Sequence, residues 1–280
     1  MREYFFGWYF KNQSPKQSVA IIPALHKSKD NKSCSIQIIT NDSVYNACFP
    51  YEEFKRKKRF GVDIEDNHFS KYGIELNIST SEFTAKGTLK FGPFSPIKYD
   101  IMGPFKFVPF MECRHSVISM EHTVSGTIEI NGVNYTFDND IGYIEGDRGY
   151  SFPKKYAWTH SFFENGSIML SVATIPLGPI KFNGIIGVAA IDKKEYRIAT
   201  YLGAKVKKIS DGEAIVKQGK TTLSAKLMEK NAHPLYAPNG GEMSRTIHES
   251  LCAKAKYHLE RKGQALLSFE TDKASFEYEL

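Results

Sequence analysis

The sequence predicts an all-β protein made of two antiparallel β-barrel or half-barrel domains. Aromatic residues make up 13% of the 280-residue chain, and their rings suit the pleated surface of strands. Short segments of alternating apolar and polar residues recur between turn residues, and no long segment carries an apolar stripe of helical period. We place the two domains at residues 1–125 and 126–280, with a cleft between or within them.

The first half of the chain contains the strands that we expect in the first domain. An aromatic strand covers residues 6–11, and an apolar strand covers residues 19–24. Residues 35–39 and 44–49, which a short polar turn separates, are predicted to form a hairpin. Apolar and polar residues then alternate from 74 to 89, which predicts strands with one face toward water.

A proline-rich segment at residues 92–110 interrupts this series. It contains four prolines, so we expect no regular structure and interpret it as a crossing from one half of the molecule to the other. The clearest hairpin follows, because Asn131 and Gly132 supply the positive φ angles of a tight turn between residues 124–130 and 133–137. Further strands are predicted at residues 168–172, 185–191, 205–210 and 213–216 around Asp211 and Gly212, 257–260, 265–269 and 275–279.

Positive charge is concentrated in one run of the sequence. The formal net charge is +6, and the run Lys55, Arg56, Lys57, Lys58 and Arg59 carries five positive charges. No base-reading motif accompanies it, so we expect no nucleic-acid partner. The run is interpreted either as a solvated strand edge or as a contact with anionic lipid. With no signal peptide and no apolar run of about 18 residues, we expect a cytoplasmic protein, peripheral to a membrane if the lipid interpretation holds.

Cysteine and histidine spacing indicates neither a metal site nor a redox pair. The four cysteines (Cys34, Cys48, Cys113 and Cys252) show no C-x-x-C pair, and the eight histidines show no H-x-H or H-E-x-x-H spacing. Cys34 and Cys48 face each other across the first hairpin in one interpretation, but a cytosolic chain favours reduced thiols. P-loops, nucleophile elbows and dinucleotide fingerprints are also absent, which disfavours kinase, hydrolase and dehydrogenase functions.

The most informative stretch is residues 143–163, YIEGDRGYSFPKKYAWTHSFF. It places the carboxylates of Glu145 and Asp147 close to the rings of Phe152, Tyr156 and Trp158. Such a mixture suits a site for an apolar, ring-bearing molecule with one or two polar groups. The alternative interpretation is a charged turn followed by a core strand.

Two segments of this region, GYIEGDRGYSFP and YAWTHSFF, resemble the signature of the tocopherol cyclase family. The preceding IMGPFKFVPFMECRH and the aromatic N-terminal strand are similar to other parts of that family, and the resemblance covers nearly the whole chain. It implies a tandem of lipocalin-like β domains with an apolar cleft. Because the chain shows no plastid transit peptide, we expect a bacterial homologue.

The resemblance also implies a reaction. Tocopherol cyclases protonate an alkene in a prenyl tail, and the phenol oxygen of the quinol captures the cation to close a chromanol ring, with no redox cofactor or metal. Such a reaction requires a buried carboxyl that stays protonated. Glu145 or Asp147 is the expected acid, with Glu112 in reserve. Alternatively, Asp147 forms an ion pair with Arg148, and Glu112 and Glu145 are simply solvated.

The ligand-binding candidates are expected to line the tail path or to hold the quinol hydroxyls. They are Trp8, His115, Arg148, Phe152, Tyr156, Trp158 and His160. In the alternative interpretation, Trp158 is a core residue and the histidines are ordinary strand residues. Arg148 stands where the family usually has tryptophan, and His160 where it usually has glutamine, which makes the pocket more polar and leaves the ligand open.

Two functions therefore remain open at this stage. One is a tocopherol cyclase-like protein that binds an apolar prenylated or lipid molecule and, if it is an enzyme, cyclises a prenyl quinol without a cofactor. The other is a lipocalin-like carrier that sequesters a small hydrophobic ligand without turnover. The two differ in whether one carboxyl acts as an acid.

Overall fold

The computed structural model describes residues 3–109, 111–177, 180–210, 212–229 and 232–279. Most of these residues are in antiparallel strands. The helical segments described are the short 3-10 turns Tyr51–Glu53, Gly103–Phe107 and Thr200–Leu202. The all-β prediction is confirmed. None of the helical turns in the described ranges has the length and apolarity needed to cross a membrane.

The first sheet contains eleven strands. They are β1 (Tyr4–Gln13), β2 (Ser18–Lys27), β3 (Lys32–Ile39), β4 (Val44–Pro50), β5 (Phe54–Arg56), β6 (Gly61–Ile64), β7 (Asn67–Ser70), β8 (Gly73–Ser79), β9 (Thr84–Phe91), β10 (Cys113–Ile130) and β11 (Val133–Gly149). Their order in the sheet is β4-β3-β2-β1-β11-β10-β9-β8-β7-β6-β5. The long strands β1, β10 and β11 therefore lie side by side in the middle.

Aromatic contacts show that this sheet rolls up on itself. Phe6 on β1 meets Phe54 on β5, with ring centroids 6.1 Å apart, although β5 is at the far end of the sheet. Tyr45 on β4, at the other end, lies 5.1 Å from Phe83, which precedes β9. The enclosed core is rich in aromatic and β-branched side chains, and each large apolar one that is fully buried contributes about 1.5–3 kcal/mol.

The second sheet contains ten strands. They are β12 (Tyr156–Phe163), β13 (Gly166–Leu177), β14 (Ile180–Ile191), β15 (Lys194–Ala199), β16 (Lys205–Ser210), β17 (Glu213–Gln218), β18 (Thr221–Leu227), β19 (His233–Asn239), β20 (Glu242–Arg261) and β21 (Gln264–Glu279). The order is β15-β14-β13-β12-β21-β20-β18-β17-β16, and β19 pairs with β20.

The side chain of Gln218 joins two distant parts of this second sheet. Its Oε1 accepts a hydrogen bond from the backbone N–H of Ala199 at 2.9 Å, and its Nε2 donates to the carbonyl of Arg197 at 3.1 Å. Because Gln218 ends β17 and the other two residues lie on β15, the sheet curls until its two ends approach each other.

Contacts divide the chain into two compact units. Unit 1 contains Met1–Pro96, His115–Ser151 and Pro238–Ser244, and unit 2 contains Ile97–Arg114, Phe152–Ala237 and Arg245–Leu280. The predicted domains 1–125 and 126–280 stay a prediction; residue 126 itself lies in β10, in the part of that strand assigned to unit 1.

The turns follow their sequence signals where they are described. Asn131 and Gly132 have φ angles of 49° and 78°, as the predicted hairpin requires. Gly212 also has a positive φ of 73°, whereas Asp211 beside it lies outside the described residues.

The proline-rich segment, whose last residue Phe110 also lies outside the described residues, is more ordered than predicted. It contains the 3-10 turn Gly103–Phe107. The guanidinium of Arg197 donates to the carbonyls of Tyr99 (2.8 Å) and Asp100 (2.9 Å) and stacks 3.7 Å from the Tyr99 ring centroid. The Arg197 side chain, which is 5% exposed, thus holds residues 99 and 100 in place from a distant strand.

All four cysteines are free. Cys34 lies opposite Phe49, and Cys48 lies opposite Ser35, so the two thiols are not register partners across the hairpin of β3 and β4. Burial raises the pKa of the Cys34 thiol to about 12, which makes it an unreactive core residue.

Candidate functional site

Alternation along β11 places three polar side chains on one face of the first sheet. Ile144 belongs to the apolar core of unit 1, so Tyr143, Glu145 and Asp147 point to the opposite face. Tyr143 and Glu145 are nevertheless buried, at 0% and 5% exposure. The stretch from Glu145 to Gly149 is therefore part of a strand and not a turn.

The neighbouring strand β1 continues this polar face. Its core residues are Phe6, Trp8 and Phe10, and the residues between them lie on the same face as the carboxylates. Gly7 is directly opposite Asp147, Tyr9 opposite Glu145 and Lys11 opposite Tyr143. Lys11 is fully buried as well. A sheet face that points away from the core thus contains a buried group of ionisable side chains.

His115 on β10 joins the two carboxylates of this face. Its Nδ1 lies 3.1 Å from Oδ1 of Asp147, and its Nε2 lies 3.1 Å from Oε2 of Glu145. The first contact has hydrogen-bond geometry, whereas the second is a close ion pair with poorer alignment. Each edge of the ring therefore faces a different carboxylate.

This arrangement favours the charged form of the imidazole. Burial by itself lowers the pKa of His115, but attraction to Glu145 and Asp147, the hydrogen bond to Asp147 and the close contact with Glu145 outweigh it. The net result is a pKa of His115 well above its ordinary value, so the ring is an imidazolium near neutral pH.

Tyr143 extends the cluster by one hydrogen bond. Its hydroxyl donates to Oε2 of Glu145 at 2.6 Å, the same oxygen that faces His115. Burial and the adjacent carboxylate raise the pKa of Tyr143 well above its ordinary value, so this phenol stays a donor. The result is a continuous chain from Tyr143 through Glu145 and His115 to Asp147.

Gly146 lies between the two carboxylates and packs closely against the barrel core. A Cβ added there would lie 2.5 Å from Cδ1 of Trp8 and 3.0 Å from the carbonyl of Gly7, so only glycine lets the indole pack against β11. The carbonyl of Gly146 also accepts a hydrogen bond of 2.9 Å from the Ser116 hydroxyl on β10. The backbone between the two carboxylates is thus fixed from both neighbouring strands.

The three residue types also occur in metal sites. His115, Glu145 and Asp147 each offer one ligand atom, and these atoms lie within 4.8 Å of one another. The carboxylate at each ring nitrogen favours an ion-paired imidazolium, and a metal would require the ring to give up a proton. The expectation of no metal ligand stays a prediction.

The other candidates of unit 1 lie outside this cluster. Trp8 packs in the barrel core against Phe6 and Phe60, with ring centroids 5.0 and 4.5 Å away. Arg148, the residue after Asp147, is exposed and pairs with Phe6 on the opposite face of the strand. Ligand contacts of Trp8 and Arg148 stay predictions.

The remaining candidates belong to unit 2. Tyr156, Trp158 and His160 share one face of β12, the face opposite to the core residues of that sheet, and all three are buried. The Tyr156 hydroxyl donates to Oε2 of Glu277 at 2.5 Å, and Phe152 packs against the Tyr156 ring. Trp158 is therefore no part of the barrel core, and its role as a ligand wall stays a prediction.

Glu112 also belongs to unit 2. Burial raises the pKa of its carboxyl, while the nearby Lys154 opposes the shift. A raised pKa is the property that we expect from an acid that stays protonated. Its catalytic role stays a prediction.

The basic run has several partners of its own. Lys55 lies 3.0 Å from Glu53, Lys57 lies 2.7 Å from Asp63, and the Arg56 guanidinium covers the Phe6 ring at 4.4 Å. Lys58 and Arg59 are exposed. Contact with anionic lipid stays a prediction.

Sequence reasoning missed Tyr143 and Lys11. A signal for Tyr143 was present, because Tyr143, Glu145 and Asp147 alternate with period two, as the polar face of a strand requires. The two glycines of this stretch suggested a turn instead. The resemblance names His115 as a site residue, but no periodicity in the sequence indicates that this residue, about thirty positions away, pairs with this face.

Comparison with solved structures identifies proteins with a similar fold. The chain is similar to a protein described as AttH from Nitrosomonas europaea (TM-score 0.58, 11% identity, covering 100% of this chain and 93% of that one). It is similar to CghA in complex with Sch210972, with a TM-score of 0.63 and 9% identity over 99% of this chain and 89% of that one. It is also similar to kievitone hydratase from Nectria haematococca, with a TM-score of 0.57 and 8% identity over 99% of this chain and 89% of that one. No protein-family model matches the sequence, and a search of curated proteins finds no match. These likenesses confirm the predicted lipocalin-like fold and, at such low identity, show the fold alone.

Proposed function

We propose that this protein is a tocopherol cyclase-like enzyme that binds a small apolar molecule and adds a proton to a carbon–carbon double bond. The observation that carries the proposal is His115, a buried imidazole with a carboxylate at each ring nitrogen. Buried groups with strongly shifted pKa values and specific charged partners are typical of acid–base sites. One of the similar structures is named a hydratase. Hydration of a carbon–carbon double bond also includes the addition of a proton to one of its carbons.

The cluster is suited to give one proton and take one back. His115 passes one ring proton to a carboxylate of the cluster, that carboxyl gives the proton to the alkene carbon, and a hydroxyl oxygen of the same molecule bonds to the resulting cation. The hydroxyl proton then returns through a carboxylate of the cluster to the ring nitrogen that gave one up, which restores the imidazolium and the carboxylate. The product is an isomer of the substrate, so the balance requires no oxidant or reductant.

Isotope incorporation tests this proposal on the full chain. With a prenylated hydroquinone in D₂O, we expect a cyclised product that carries one carbon-bound deuterium, measured by mass spectrometry. Glu145→Gln, Asp147→Asn and His115→Gln are expected to lower turnover by about 10²–10⁴-fold, because each interrupts the proton path. His122→Gln, which changes another buried histidine of unit 1, is the matched control.

Two results would overturn the proposal. Full activity in all three variants would place the acid elsewhere, with Glu112 next to be tested. A wild-type protein that binds prenylated quinols tightly and never cyclises or hydrates them would be a carrier. Binding is measured by tryptophan emission in a Trp8→Phe variant, which leaves Trp158 as the only reporter.

A further inference from the structure

A cavity of unit 1 lies at the turn between β19 and β20. It encloses about 450 Å³ and is lined by His26, Asn31, Ser33, Gly241, Glu242, Met243 and Ser244. That volume is within the range of small-molecule pockets. None of the carboxylates or aromatic residues discussed above lines it.

His26 is the buried polar group of this pocket. It is 4% exposed, and its Nε2 lies 2.9 Å from the Ser35 hydroxyl. Its Nδ1 is buried and has no hydrogen-bond partner among the residues that the structure describes. A buried nitrogen without a partner is destabilising, so a ligand hydroxyl that reaches it and supplies the missing bond is favoured.

The wall opposite His26 is held in place by backbone contacts. The N–H of Gly241 donates to the carbonyl of Tyr150 at 2.6 Å. A Cβ on Gly241 would lie 1.9 Å from the carbonyl of Lys27, which is next to His26. The turn between β19 and β20 therefore packs directly against the backbone of β2, and a side chain at position 241 would not fit. The pocket is thus a built feature of the fold.

The lining defines the chemistry of a ligand. Hydroxyl, carboxamide and imidazole groups predominate, and Met243 is the one large apolar side chain in the lining. Glu242 is the one acidic residue among the described residues of the lining, and burial lowers the pKa of His26 to about 4, which keeps its ring neutral. No cation is present among the described residues that line the pocket, so an anion has no partner among them.

We propose that this pocket is a binding site for a small, neutral, hydroxyl-rich molecule such as a polyol or a monosaccharide. Hydrogen bonds to the His26 imidazole, the Asn31 carboxamide and the Ser33 hydroxyl select it. The site is separate from the proposed acid–base cluster and does not depend on that function.

The test is a nitrogen NMR titration of the full chain labelled at histidine. Glycerol and glucose are added as probes, with ethanolamine and inorganic phosphate as charged comparisons. His122 is a reference within the same spectrum, because it is also 4% exposed and has an unpartnered Nε2. Its ring packs on Phe91 and Phe94 and lines no part of the pocket.

We expect a saturable shift of the His26 ring nitrogens with a hydroxylated probe and no shift at His122. A Ser244→Trp variant, which fills the pocket from an exposed position, is expected to abolish the shift while the rest of the spectrum is retained. The proposal is overturned if neither hydroxylated probe gives a saturable His26 shift, if only ethanolamine or phosphate does, or if the tryptophan variant binds like the wild type.

Discussion

The Nδ1 atom of His115 on β10 lies 3.1 Å from Oδ1 of Asp147 on β11. This contact shows that Asp147 pairs with His115 and not with its neighbour Arg148. In a strand, Asp147 and Arg148 point to opposite faces, so the aspartate faces the imidazole and its neighbour faces solvent. A residue that one interpretation placed in a turn is therefore part of a strand and of an ion-paired cluster.

Acid is expected to destabilise the protein through His26 and His122. Burial lowers the pKa of each ring to about 4, against 6.5 in the unfolded chain. The unfolded chain therefore binds more protons below pH 6.5, so this stability is complete above pH 6.5 and is lost as the pH falls toward 4. Each histidine accounts for roughly 3 kcal/mol of that loss.

Urea unfolding between pH 7.5 and pH 4 measures this effect. A His122→Gln variant is expected to show a clearly smaller fall in unfolding free energy over that range than the wild type. His248→Gln, with a side chain that is 62% exposed, is the control and should keep the wild-type slope. Equal slopes in all three proteins would contradict the assignment.

Gly146→Ala is expected to destabilise unit 1 by about 1–3 kcal/mol, because the new methyl group overlaps the Trp8 indole at 2.5 Å. The indole must shift, so Trp8 emission should change along with the unfolding midpoint. Asn134→Ala, on an exposed part of the same strand, is the matched control. An unchanged midpoint in Gly146→Ala would show that the packing at this position is loose.

Thr159 and Tyr257 are expected to be energetically coupled in unit 2. The Thr159 hydroxyl donates to the carbonyl of Ser275 at 2.8 Å and lies 2.5 Å from the Tyr257 hydroxyl, which must then be the donor to Thr159. Thr159→Val leaves the buried phenol without its acceptor and should cost about 1–3 kcal/mol.

A double-mutant cycle with Tyr257→Phe isolates that coupling. The valine substitution should cost clearly less in the Tyr257→Phe background, because no donor is left unsatisfied there. Additive costs in the cycle would show that the two hydroxyls do not depend on each other.

The fold was largely predictable from local signals. The pair Asn131 and Gly132 specifies its hairpin through backbone conformation, and the alternation from 74 to 89 marks β8 and β9. Sheet order was not predictable, because the pairing of β1 with β11 joins residues more than a hundred positions apart. The ordered proline-rich segment depends in the same way on the distant Arg197.

The candidate site was predictable in part. Glu145, Asp147 and His115 were named from the resemblance, and the structure brings these three together. Phe152, Tyr156, Trp158 and His160 were expected at the same site, yet they belong to unit 2. The chain passes from one unit to the other between Ser151 and Phe152, and a site shared by these four residues and the cluster stays a prediction.

The central claim is that His115 is an imidazolium held between Glu145 and Asp147, and nitrogen NMR of its ring tests that claim most directly. Because the pKa of His115 is raised well above its ordinary value, its contribution to stability is complete below pH 6.5 and is lost as the pH rises through the folded-state pKa. At pH 7.5 we predict that both ring nitrogens of His115 carry protons, and that Asp147→Asn lowers the pKa of the ring. A neutral ring with one unprotonated nitrogen at pH 7.5 in the wild type would contradict the account.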